Sequence, residues 1–179
     1  VHGLDDLRMI VFNRRSRLPV WANQVTSAGL LSRFSYAFKQ PEGSAYPPIL
    51  QLNHIEGPVK VDGAGGQIEF TPFEVAHGQI TALGFRIGPV AYLPDVSAMP
   101  PAAWEALAGI DCWILDALRR DPHPSHSHLA QSIEWIDQSN VARAVLTNMH
   151  NDLDYATLQV ELPKHILPAF DGMVLSYDL

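Results

Sequence analysis

Four apolar runs in this 179-residue chain stop at residues able to hold a metal ion. "FEVA" stops at His77, "VAYLP" at Asp95, "CWIL" at Asp116 and "AVLTNM" at His150. Imidazole and carboxylate together suit zinc, manganese or iron. Carboxylates can also bridge two cations about 3.5–4 Å apart, the spacing that clamps a displacement at phosphorus. Between the third and fourth runs, "DPHPSHSH" sets His123, His126 and His128 close together, three of the chain's 8 histidines.

Each of these residues alone has a plainer reading. An Asp at a strand end is most often a helix cap or a turn former. Asp95 ahead of "VSAMPPAAW" fits that, and Asp116 can simply orient the loop that carries the histidines. A lone His77 before Gly78 is more often a hydrogen-bonded polar residue than a ligand. The weight lies in the joint pattern. Ligand sites in α/β proteins gather beyond the carboxyl ends of strands, so four such ends on one edge bring their side chains together.

The elements that must position these ends are legible. "GLDDLRMIVFN" (3–13) and "NQVTSAGLLSRFSYAF" (23–38) have helical spacing, the second behind an Asn cap, and "LPVWA" (18–22) reads as a strand. Strands are expected in 46–58, 67–78, 80–88 and 90–95, with "VDGAGG" (61–66) as a hairpin turn. That turn lacks the spacing of a phosphate loop. From residue 101 the pattern alternates: helix 101–109, strand "CWILDA", helix 128–138, strand "ARAVLTNM", helix 155–161 and strand pieces near 166–176. A β-rich half followed by alternating α and β units predicts a mixed sheet with helices against it. Leu129, Ile133 and Ile136 give helix 128–138 its buried stripe, which makes His128 a polar helix-start residue. His123, between two prolines, supports the loop or contacts substrate.

Composition bounds the rest. The chain is 47% hydrophobic and 17% charged, enough for a sizeable core in one domain. A net charge of −7 argues against a nucleic-acid backbone as main ligand. It leaves room for a small phosphorylated substrate whose charge a metal meets. The single Cys112, inside "CWIL", reads as a buried thiol in a reducing, cytoplasmic compartment. No stretch is long and apolar enough to span a membrane as a helix. A homodimer is one assembly open to the chain.

"VAYLPDVSAMP", "CWILDALRRDPHPSHSHLAQSIEWI", "ARAVLTNMHNDLDYATLQVELP" and "PAFDGMVL" together resemble the PhnP-like branch of the metallo-β-lactamase-fold hydrolases, named for a phosphoribosyl cyclic phosphodiesterase. The resemblance covers essentially the whole chain, and its specific part runs from Tyr92 to Leu175. It implies an α/β (α+β) fold, an αββα sandwich over residues 1–179 as a single domain, with two divalent metal ions, zinc or manganese. It implies His77 as a metal ligand, Asp95 as the carboxylate bridging the metals, and His126 as a catalytic residue facing the substrate phosphate. Relatives read Leu-Thr-His where this chain has Asn148, so His150 is the expected replacement ligand. Asp116 and Asp154 are candidates to orient the ligating imidazoles.

The family's H-x-H-x-D-H signature is absent from the sequence, which begins with "VHGLDDLR", the segment that follows that signature in relatives. The expectation is a chain that is N-terminally incomplete. The implied activity is hydrolysis of a small phosphodiester, cyclic ones included, by a metal-activated hydroxide. Alternatives within the fold are a tRNA 3′-end nuclease and a lactone, thioester or lactam hydrolase. The alternative of another functional class is a non-catalytic binding domain, a relic poor in metal.

Overall fold

The computed structural model describes residues 2–178, which form two compact units divided between Gly57 and Pro58. In the first unit a 3₁₀ turn, His2–Asp6, leads into α1, Leu7–Arg14. The expected helix over 3–13 is therefore a tight turn followed by a helix. Strand β1, Leu18–Ala22, runs parallel to β2, Leu50–His54, and α2, Gln24–Phe38, joins them. Asn23 caps α2 by accepting from the Thr26 N–H at 2.9 Å. Val11, Leu30, Phe38, Ile49 and Leu50 form this unit's core. The strand expected over 46–58 shortens to β2, because Pro47 and Pro48 have no N–H for a ladder.

The second unit is built on a seven-stranded sheet in the order β3 to β9. Its strands are β3 (Val59–Gly63), β4 (Gly66–His77), β5 (Ile80–Ile87), β6 (Val90–Leu93), β7 (Cys112–Asp116), β8 (Arg143–Thr147) and β9 (Ile166–Pro168). The first four are antiparallel neighbours, and the last four pair in parallel. Helices α3 (Pro101–Ala106), α4 (Leu129–Ser139) and α5 (Tyr155–Glu161) connect the parallel strands. This is the predicted order, a β-rich half and then alternating units.

Register explains the core. Ala91, Trp113 and Ala144 lie side by side on β6, β7 and β8, as do Leu93, Leu115 and Leu146 one pleat further on. Two alanines flanking Trp113 leave space for its ring. Ala103 of α3, Leu129 and Ile136 of α4 and Leu158 of α5 join them in one buried cluster. Phe73 faces Gly84 across the β4–β5 pair, and a Cβ on Gly84 would sit 2.4 Å from the Phe73 ring. Only glycine allows that ring to cross its partner strand.

Topology also fixes direction. Strand β5 is antiparallel to both β4 and β6, so β4 runs the same way as β6, β7 and β8. The carboxyl ends of those four strands therefore share one edge of the sheet.

Candidate metal centre

Each sequence-selected residue lies at or just beyond that edge. His77 is the last residue of β4, and Asp116 is the last of β7. Alternation along β4 buries Phe73 and Val75 and puts His77 on their face at the strand's end. Asp95 follows β6 by two residues. The segment after it returns to β4: Ala76 N–H donates to the Ala98 carbonyl at 3.1 Å, and Ser97 N–H donates to the Ala76 carbonyl at 2.7 Å. That stitch brings the Asp95 loop beside His77. Asp95 does not cap α3, whose N-cap is Pro100.

Three of the residues converge. Ligand-capable atoms of His77, Asp95 and His126 lie within 4.8 Å of one another, the one such His/Asp group among the described residues. The His77 and His126 rings meet edge to face with centroids 4.6 Å apart. His126 Nδ1 lies 3.9 Å from Asp95 Oδ1. Asp95 is half exposed, so its carboxylate is open to a ligand.

The backbone and a buried carboxylate set the imidazoles. His77 Nδ1 lies 2.6 Å from the Ser125 carbonyl oxygen. A carbonyl can only accept, so this nitrogen carries the proton and Nε2 keeps a free lone pair. His126 Nδ1 lies 2.8 Å from Asp116 Oδ2, and Asp116 is fully buried. Burial pushes the Asp116 carboxyl up, while bonds from His126, the Val96 N–H and Asn148 pull it back. Ser127 and Ser132 hydroxyls donate to the Asp116 carbonyl at 2.8 and 2.7 Å and fix the residue itself. Such second contacts hold a ligating or proton-moving imidazole in one orientation.

His123 lies beside the group, its ring centroid 5.3 Å from that of His126. Desolvation first, and then the nearby Arg119, His126 and His77, hold its pKa below the ordinary value. His128 is the N-cap residue of α4, as its place in the sequence suggested.

His150 is not brought into the group. Asn148 turns the chain after β8 with a left-handed φ of 60°. The His150 N–H then donates to the Leu118 carbonyl at 2.7 Å, and its ring pairs with Asp152 at 3.3 Å, 60% exposed. The third member of the set is His126, ten residues after Asp116 in the chain. Asp154 caps α5 by accepting from Thr157 N–H at 2.8 Å, so of the two candidate orienting carboxylates only Asp116 meets an imidazole of the group.

Three contributors were not read from the sequence. The Ser125 peptide bonds His77, and no residue-type pattern marks a backbone carbonyl. Gly78, with φ of 62°, has Ser125 Cβ 3.0 Å from where its own Cβ would stand. A glycine directly after a strand-end histidine was its available signal. The Asn148 amide donates to the Pro94 carbonyl at 3.2 Å and to Asp116 Oδ1 at 3.4 Å, tying the ends of β6 and β7 together.

A mixed α/β sheet with a His/Asp group at the carboxyl edge of its strands defines the class of protein. The chain belongs to the beta-lactamase superfamily domain family, whose pattern matches residues 1–149. A crystal structure of a new diphosphatase from the PhnP family is 32% identical with a TM-score of 0.86, covering 99% of this chain and 66% of that one. This bears out the resemblance to the PhnP-like branch. Zinc-bound PqqB from Methylobacterium extorquens, 15% identical with a TM-score of 0.71 over 99% of this chain and 69% of its own, shares the fold. A curated octanoyltransferase from Porphyromonas gingivalis (strain ATCC BAA-308 / W83) is 32% identical over 97% of this chain. The chain spans 35% of that relative's length.

The donors present fit a divalent cation. The His77 imidazole and the Asp95 carboxylate are donor types that suit such a cation, and His126 stands beside them. Among the described residues no helix is long and apolar enough to cross a membrane.

Proposed function

We propose that this chain serves a metal-dependent hydrolase that cleaves a small phosphodiester, cyclic or linear. The observation that carries this reading is the His77–Asp95–His126 group with buried Asp116 behind His126. The 32% identity to a PhnP-family diphosphatase supports chemistry at phosphorus. A bound divalent cation, zinc or manganese, supplies Lewis acidity and acidifies water to a pKa of about 7 at favourable sites.

The chain's residues divide the remaining work. His77 offers its Nε2 lone pair and Asp95 its open carboxylate as cation donors. His126, with Nδ1–H tied to Asp116, carries a proton on Nε2 to the leaving oxygen as its bond to phosphorus breaks. Asp116 stabilises the imidazolium and keeps the ring from turning. A second cation, which the family resemblance implies, needs donors beyond this group. The free thiol of Cys112 is buried at the start of β7, the far end of that strand from Asp116. It therefore offers this group no acyl-carrying nucleophile, although a buried free thiol suits a reducing, cytoplasmic setting.

The test is hydrolysis of bis(p-nitrophenyl) phosphate by the intact protein supplied with zinc or manganese. Activity should appear with the metal and vanish with a chelator. Efficient cleavage of a thioester or lactam with none of the phosphodiester would overturn the reading.

A further inference from the structure

The geometry points to the Ser125 peptide as a device that gives two neighbouring histidines opposite tautomers, making His77 a cation donor and His123 a hydrogen-bond donor to a substrate oxyanion. This deepens the reading above and rests on it for the class of anion.

The two faces of Ser125 carry the argument. Its carbonyl meets His77 Nδ1 at 2.6 Å, and its N–H meets His123 Nδ1 at 3.3 Å. A backbone N–H can only donate, so His123 Nδ1 must accept and is bare of its proton. A neutral His123 then bears its proton on Nε2. One residue thus leaves a lone pair on the outer nitrogen of His77 and an N–H on the outer nitrogen of His123. The first is what a cation needs. The second repels a cation and suits an anionic oxygen, within one ring-to-ring contact of His126.

The surrounding chain holds this arrangement rigid. Gly78 lets Ser125 approach His77 closely, since any side chain there would meet Ser125 Cβ at 3.0 Å. Pro122 and Pro124 restrict the backbone on both sides of His123. The Arg119 guanidinium donates to the Pro122 carbonyl at 2.7 Å and to the Asp121 carbonyl at 3.1 Å, closing the loop on itself. The Ser125 hydroxyl also lies 3.3 Å from His123 Nδ1, so the peptide and the hydroxyl must be told apart.

The experiment uses the intact zinc-loaded protein with ¹⁵N-labelled histidine. Long-range proton–nitrogen correlation should show His77 protonated at Nδ1 and His123 protonated at Nε2, in Ser125→Ala as in the original. A Nδ1-protonated His123, or one whose Nε2 shift reports a bound cation, overturns the assignment. Loss of the pattern in Ser125→Ala gives the role to the hydroxyl and overturns the part assigned to the peptide. Inorganic phosphate is the anion probe, followed by calorimetry. His123→Phe should keep its zinc and weaken phosphate about ten-fold or more, as for loss of a charge-assisted hydrogen bond. His123→Gln, which restores an N–H near Nε2, should recover part of that. Unchanged phosphate binding in His123→Phe, or loss of its zinc, refutes the anion role. A protein that binds a carboxylate such as octanoate instead of phosphate, with the same loss in His123→Phe, keeps the His123 assignment and refutes the phosphorus reading.

Discussion

Two loops leave the same sheet edge, one after β7 that carries His126 and one after β8 that carries His150. In the first, His126 rests on a carboxylate with no exposed surface, and the loop is laced by bonds from Leu118 N–H to the Ser127 carbonyl and from Leu129 N–H to the Arg119 carbonyl. In the second, His150 rests on Asp152 at the surface. That carboxylate's pKa is lowered chiefly by the Arg120 backbone N–H, so Asp152 is engaged in joining the loops. The difference teaches that position at a strand end is not sufficient. The two imidazoles of the group each have their Nδ1 held by a partner within the fold, the Ser125 carbonyl for His77 and buried Asp116 for His126.

The largest break of this comparison is Asp95→Ala. It removes the half-exposed carboxylate of the converging group, and zinc and turnover should vanish together in elemental analysis and a phosphodiesterase assay. Retained zinc would remove Asp95 from the donor set. His126→Ala should come next, lowering turnover by ~10²-fold or more while zinc content stays nearly unchanged, as for loss of a positioned proton donor. Zinc lost in step with turnover would make His126 a ligand instead.

Asp116→Asn sharpens the comparison by changing only the buried partner. All three of its side-chain neighbours, His126 Nδ1–H, the Val96 N–H and the Asn148 amide, are donors. An asparagine must turn its own NH₂ against at least one of them. Turnover should fall about 10–100-fold, and urea unfolding should show a loss of about 1–3 kcal/mol. His150→Ala marks the small end. Zinc, turnover and stability should all hold, the last to within about 0.5 kcal/mol. Loss of zinc in that variant would restore His150 as a ligand.

What the sequence made legible follows from what repeats locally. Strand ends at His77 and Asp116 were readable because apolar alternation stops there, and α4 because Leu129, Ile133 and Ile136 keep helical spacing. The third member of the group was harder. His126 is carried to His77 by contacts with Asp116 and Ser125 that depend on strand order, which no local pattern encodes. The left-handed turn at Asn148 sends His150 outward, and Asn is a residue that tolerates that conformation, so only a hint of the turn was present.

The His77–Ser125 contact joins residues 48 apart in sequence. Closing so long a stretch carries an entropy cost that rises with the logarithm of its length, and such contacts are rewarded only once the intervening chain is in place. That chain comprises β5, β6, α3 and β7. The expectation is that the group assembles late in the folding of this unit. A cation bound there would act as a latch on a finished sheet, not as a seed for it. Hydrogen exchange gives the signature: zinc should slow exchange at the Ser125 amide while leaving the β7 amides unchanged.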